Sequence, residues 1–239
     1  MKLETIDFHS HILPGMDDGS PDVKTSLEML RTAARQGVGV QVLTPHYYPW
    51  REEIGRFAAR RAESAEKLLS VCGEELPRLL IGAEVAFFPH MSELDLSALC
   101  IGNTRAVLVE LPFESWDGRV QEQLAALTLD KGYTVILAHA ERFLHYKGNP
   151  EALEKLSALP LLVQINADAF SRLGSRRTAL ELFRRGRAQL LGSDAHNLTN
   201  RSPDLASGRR FLEKKLDADV LRYIDETGSG LLQGEIAAR

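Results

Sequence analysis

The chain has 239 residues, 44% hydrophobic and 26% charged, which suits one domain spanning 1–239 with a sizeable core. Its 29 Lys and Arg against 33 Asp and Glu leave a net charge of -4, excluding a basic nucleic-acid-coating domain and an intrinsically disordered chain. Binding of any phosphate must therefore come from local cations. No apolar run approaches the roughly 18 residues of a membrane span, and no signal-peptide core follows the amino terminus. Two cysteines, Cys72 and Cys100, are too few for a disulfide framework. The expectation is a cytoplasmic protein with reduced thiols and no membrane insertion.

In chain order, short β-rich segments alternate with longer amphipathic ones. Strands are expected at Leu3–His9, Gly39–Thr44, Leu79–Glu84, Ala106–Leu111, Thr134–His139, Leu161–Asn166 and Ala188–Gly192. Helical spacing of apolar residues marks Pro21–Gln36, Arg56–Leu69, Gln121–Lys131 and Arg177–Arg185. Ser20 is the expected cap of the first, with Pro21 in its first turn, and Gly37, Gly132 and Gly186 the expected helix ends. Repeated strand, helix, strand units imply parallel strands joined by right-handed crossovers. Seven units suit a closed or nearly closed barrel better than a doubly wound sheet, although the pattern alone leaves both open.

The carboxyl ends of these strands carry the chemistry. His9 and His11 follow the first, His46 the second, Glu84 ends the third, Glu110 the fourth and His139 the fifth. Asp194 and His196 follow the seventh, and Asp18 lies in the DDGS stretch before the first helix. Five of the seven histidines thus fall where parallel α/β barrels place their active sites. Alone, each has a structural explanation. Together they point to a metal cluster, because one set of cations would compensate several costly buried polar groups, such as Glu110 within the apolar run VLVEL. On extended chain, H-x-H and D-x-H each aim both side chains to one face. Imidazole and carboxylate without thiolate suit Mn, Fe or Zn, and nine candidates are enough for two or three ions.

The segments IDFHSHILPGMDDGS, TPHYY, GAEV, VLVELP, LAHAERF and GSDAHN resemble, in the same order, the metal-dependent polymerase-and-histidinol-phosphatase (PHP) superfamily. They are most similar to its bacterial protein-tyrosine phosphatase branch, which acts with capsule and exopolysaccharide tyrosine kinases. The resemblance covers residues 3 to about 225 and implies a distorted (β/α)7 barrel, with Mn the expected metal. It implies one ion on His9, His11, Glu84 and Asp194, a second on Glu84, Glu110 and His139, and a third on Asp18, His46 and His196. Arg142 and Arg201 match the branch's E-R and H-N-x-x-x-R patterns and offer planar forks for phosphate oxygens.

The expected reaction is hydrolysis of a phosphate monoester by a metal-activated hydroxide, without a covalent intermediate. The expected substrate is a phosphotyrosine protein, a bacterial tyrosine kinase, with no nucleic-acid partner. Alternatives are a small-molecule phosphatase of the histidinol phosphate type and a non-catalytic metal-stabilised scaffold. Cys72 and Arg78 stand in Cys-x5-Arg spacing, but the intervening GEELP carries two carboxylates and no glycine-rich nest, so a cysteine mechanism is set aside. The 47–56 loop, with Tyr47, Tyr48, Trp50 and Arg51, could contact a phosphotyrosine ring or fold over the barrel as a lid. His90 and His145 have no assigned role. The Gly/Ser-containing C-terminal segment LRYIDETGSGLLQGEIAAR is expected to alter helix packing and leave the metal site alone.

Overall fold

A computed structural model describes residues 3–234. The strands are β1 (Thr5–Asp7), β2 (Val38–Leu43), β3 (His46–Tyr47), β4 (Arg78–Ile81), β5 (Glu84–Ala86), β6 (Ala106–Glu110), β7 (Thr134–Leu137), β8 (Leu161–Asn166) and β9 (Leu190–Gly192). Every pairing between them is parallel, in the orders β1-β2-β4 and β3-β5-β6-β7-β8-β9. β3 continues β2 and β5 continues β4, so the nine pieces occupy seven positions. The sheet curls until its ends meet: Phe8 N donates to Leu191 O (3.1 Å), Asp194 N to His9 O (2.8 Å) and His11 N to Ala195 O (2.8 Å). This is the distorted seven-unit α/β barrel that the family resemblance implies, and it decides against the doubly wound sheet that the alternation leaves open.

The two interruptions have local causes. Pro45 follows Thr44 and has no N–H for the ladder. At Gly82 a Cβ would lie 2.9 Å from Ile101 Cγ1, and Gly82 N makes the last bond between β2 and β4, to Leu43 O (2.9 Å). The single strand expected over Leu79–Glu84 is therefore two, with Glu84 starting the second.

The helices are α1 (Val23–Arg35), α2 (Ile54–Leu69), α3 (Gly118–Ala125), α4 (Asn149–Leu156), α5 (Leu173–Arg184), α6 (Leu205–Lys215) and α7 (Ala218–Gln233). Asp22, rather than Ser20, caps α1 by accepting from Thr25 N at 2.7 Å, so Pro21 precedes the helix instead of entering its first turn. Buried Ser20 instead donates to Asp22 O and accepts from Ser26 Oγ. Gly37, Gly132 and Gly186 all take the positive φ of helix ends. The segment expected as one helix over Gln121–Lys131 is α3 followed by a π-helical turn, Ala126–Asp130. The Gly-Ser-Gly stretch lies inside α7. Gly228 sits where a Cβ would be 2.7 Å from Phe8 Cε2, so the missing side chain lets α7 pack directly against the first strand segment. Residues 235–239 of that segment lie outside those described.

Alternate residues of the sheet are buried on both faces, as parallel sheets require. Val107, Val109, Val135 and Leu137 share a core with Leu124 and Leu127, while Leu108, Ile136 and Leu190 join Phe8, Val40 and Val42 in a second. No helix among the described residues is long and apolar enough to cross a membrane.

Candidate metal centre

The strand ends bring all nine ligand candidates into one cluster. His9, His11, Glu84, His139, Asp194 and His196 are buried, His46 and Glu110 are half-buried, and Asp18 is exposed at the rim. Glu84 is the hub. Its Oε2 lies 2.8 Å from His46 Nδ1, 3.3 Å from His9 Nε2 and 3.4 Å from His11 Nε2, and its Oε1 lies 2.8 Å from His139 Nε2. His139 Nε2 also faces Glu110 at 3.3 Å. Asp18 Oδ1 lies 3.4 Å from His196 Nε2 and 3.6 Å from His46 Nε2. Three sets of donor atoms lie within 4.8 Å of one another: His11, Asp18, His46 and His196; His9, His11 and Glu84; and His46, Glu84 and Glu110. These sets divide the residues differently from the three-ion partition implied by the family resemblance, sharing His11 and His46 between groups.

The hydrogen bonds fix which ring atoms face inward. Gln164 Oε1 accepts from His139 N (2.9 Å), so the proton of the bond to His9 Nδ1 (3.1 Å) belongs to His9. Gln164 Nε2 in turn donates to Asn166 Oδ1, and Asn166 Nδ2 to Asp194 Oδ2, both at 2.9 Å. His11 Nδ1 donates to Asp17 Oδ2 (2.7 Å), and His196 Nδ1 donates to the Asp194 carbonyl (2.9 Å). The opposite nitrogens of all three rings therefore face the cluster, with the Nε2 atoms of His9 and His11 only 3.1 Å apart. Glu84 Oε2, His46 Nδ1 and His196 Nε2 are buried without an aligned hydrogen-bond partner despite their close neighbours. Converging, unaligned donor atoms are what cation coordination produces and hydrogen bonding does not, so the residues fit divalent ions.

Electrostatics reinforce this fit. Burial opposes charge on Glu84 and Asp194, yet His9 and its neighbours hold both carboxyls well below their usual range. Burial likewise opposes charge on His11 and His139, but facing carboxylates outweigh it: His11 is held well above an ordinary imidazole and His139 is raised to about 10. His196, by contrast, is pushed down to about 4 by burial and by the neighbouring positive charge of His11. Divalent cations held here would compensate the same buried carboxylates that these imidazoles face.

Two backbone features carry strain. His139 (φ 31°) and Asp194 (φ 53°) are non-glycine residues in the left-handed region, each costing on the order of 1–3 kcal/mol. Each lies two residues past the end of a strand, β7 and β9, and the turn swings the side chain toward Glu84 or His9 instead of continuing the pleat.

Arg142 and Arg201 grip Asp194 from either side, at 2.6 Å to Oδ2 and 2.8 Å to Oδ1, and line a cleft of about 480 Å³ above the cluster. Tyr48, Trp50, Phe87 and Phe113 form its apolar walls. Tyr48 stacks on His46 (5.1 Å) and has Arg51 Cζ over its ring, 4.4 Å from the centre, and Phe113 stacks on His139 (6.2 Å). Tyr47 is no part of this wall; it is buried and packs edge-on against Phe57. His90 is exposed and pairs with Glu93, and His145 is exposed beside Tyr146. Cys72 is half-buried and Arg78 pairs with Glu4 at 3.6 Å, while burial pushes the Cys72 thiol up.

Sequence reasoning missed Asp17, Gln164, Asn166 and Phe113. Gln164 and Asn166 had one available signal: polar residues two apart on an otherwise apolar strand, pointing to one face.

Residues 5–229 match the family described as "Capsular polysaccharide synthesis, CpsB/CapC". The chain is 31% identical to the tyrosine-protein phosphatase YwqE of Bacillus subtilis, over 98% of this chain and 94% of that one. It is 26% identical to the tyrosine-protein phosphatase CpsB of Streptococcus pneumoniae, over 89% and 91%. The fold superposes with a TM-score of 0.82 and 25% identity, over 97% and 96% of the chains, on a structure from a study of YwqE and CpsB that describes them as metal-dependent tyrosine phosphatases. A phosphotriesterase homology protein of Escherichia coli shares the fold at a TM-score of 0.53 and 13% identity, covering 94% and 97%. The chain belongs to the CpsB/CapC family, whose relatives named here are tyrosine-protein phosphatases.

Proposed function

We propose that this protein is a metal-dependent phosphatase that hydrolyses phosphotyrosine on proteins, its physiological substrate being a cytoplasmic bacterial tyrosine kinase of capsular or exopolysaccharide synthesis. We read 1–239 as one metallophosphatase domain. The observation that carries the reading is the convergence of inward-facing imidazole nitrogens on the Glu84 carboxylate, beneath a cleft walled by arginines and aromatic rings.

Two or three divalent ions, with Mn our first choice, would be held by His9, His11, Glu84 and Asp194; by Glu84, Glu110 and His139; and by Asp18, His46 and His196. When bound, such ions activate water near neutral pH and stabilise charge on a transferring phosphoryl group. The protein supplies the remainder. Glu84 and the imidazoles fix the cations, and Gln164 and Asn166 hold His9 and Asp194 in place through their amides. Arg142 and Arg201 orient phosphoryl oxygens at the cleft floor. Tyr48, Trp50 and Phe113 shield an aryl ring from water, since exposed aromatic faces favour stacking. A tyrosyl leaving group has a pKa near about 10, so its departure needs less help from a strong acid than an alkoxide would.

The test is hydrolysis of a phosphotyrosyl peptide by protein stripped with EDTA and reloaded with Mn2+. Loss on stripping and return on loading are expected. Activity that survives complete stripping overturns the metal reading, and a strong preference for histidinol phosphate over the peptide overturns the substrate reading.

A further inference from the structure

The adjacent acids Asp17 and Asp18 are chemically identical in sequence but face opposite ways. Asp18 is exposed, and its Oδ1 approaches the Nε2 atoms of both His196 and His46. Asp17 is nearly buried and both of its oxygens are committed. Oδ1 accepts from Gly19 N at 3.0 Å, while Oδ2 accepts from His11 Nδ1 at 2.7 Å and from His46 N at 2.8 Å. One carboxylate thus ties together the segment after β1, the turn before α1 and the start of β3.

The turn makes this division compulsory. Gly19 lies so close to the His11 backbone that a Cβ there would sit 2.1 Å from His11 O, and Ser20 N donates to that same oxygen at 2.9 Å. With the turn pressed onto His11, consecutive side chains diverge: Asp17 meets His11 Nδ1, and Asp18 faces His196 and His46.

We infer that Asp17 is the positioning residue of the metal centre: it holds the His11 ring with Nε2 inward and sets the His46 backbone beside it, without itself contacting a cation. The inference rests on the metal reading above. A carboxylate behind a ligating imidazole fixes the ring orientation and raises its basicity, and losing such a partner typically weakens metal affinity by about 10–100-fold.

The test compares wild type, Asp17→Asn, Asp17→Ala and Asp18→Asn, each stripped with EDTA and titrated with Zn2+ by calorimetry. The His11 ring N–H is then followed by NMR in the Zn2+-loaded state. Asp17→Asn is expected to bind the wild-type number of ions about 10–100-fold more weakly, since asparagine keeps one neutral acceptor. Asp17→Ala is expected to weaken binding further and to lose the slowly exchanging ring N–H of His11, while those of His9 and His196, bonded to other acceptors, remain. Asp18→Asn is expected to bind one ion fewer. Unchanged Zn2+ affinity and ring N–H in the Asp17 variants overturn the inference. So does loss of one ion in Asp17→Asn, which would make Asp17 a ligand. Should Asp17→Ala not fold, Asp17→Asn decides alone. Wild type that takes up no Zn2+ overturns the metal reading instead.

Discussion

The barrel wall has two unlike sides. From β6 to β8 the strands run unbroken, pair residue for residue and are filled with valine, leucine and isoleucine. Across β2 to β5 the wall is cut twice, at Thr44–Pro45 and at Gly82–Ala83, and the strands resume at His46 and Glu84, which pair with each other. The regular side gathers Glu110, Gln164 and Asn166 toward the carboxyl ends of its strands, whereas on the broken side the strands restart at His46 and Glu84, an imidazole and a carboxylate paired with each other. Regularity therefore supports the fold, and its interruption shapes the site.

The sharpest way to separate these roles is Glu84→Gln. One uncharged amide replaces the hub of four imidazoles, so phosphotyrosine hydrolysis should fall by more than the ~100-fold typical of supporting residues, with the circular dichroism spectrum unchanged. An active Glu84→Gln enzyme would detach the broken side from the chemistry. Arg142→Ala and Arg201→Ala should each lower kcat/KM by about 10²–10³-fold while the bound metal, measured by elemental analysis, stays constant. Metal loss in either variant would show that the arginine supports Asp194 more than it serves substrate.

On the regular side, Ile136→Ala removes a fully buried side chain of β7. It should cost about 2–5 kcal/mol in urea denaturation with little change in turnover per folded molecule. A large kcat effect would mean that the two sides are mechanically coupled. The smallest effect belongs to Cys72→Ser, which should leave activity intact. Iodoacetamide should be equally harmless at neutral pH, because burial raises both thiols, Cys100 to about 11, and keeps them protonated. Inactivation by either would restore a cysteine mechanism.

The same contrast explains what could be read from the residues alone. β6, β7 and β8 announce themselves as apolar runs, and His139 and Glu110 stand out because charge is costly there. The close packing of Ile101 on Gly82, where β4 has just ended, is invisible, since Ile101 comes from another segment. Asp17 and Asp18 cannot be told apart without the turn that divides them. Asp22 outcompetes Ser20 as the cap because Ser20 is drawn into a bond network with Ser26. α4, α6 and α7 lie outside the four helices expected, and α7 in particular carries glycines that normally argue against a helix but here serve close packing.

The seam between the first and last strands has a consequence for biosynthesis. His9 and His11 are made before Asp194, His196 and Arg201, which complete their surroundings and follow nearly two hundred residues later. A chain stalled on the ribosome before β9 lacks Asp194 and His196, and with them the seam that closes the barrel. Hydrolytic competence is therefore expected only after synthesis has passed Arg201.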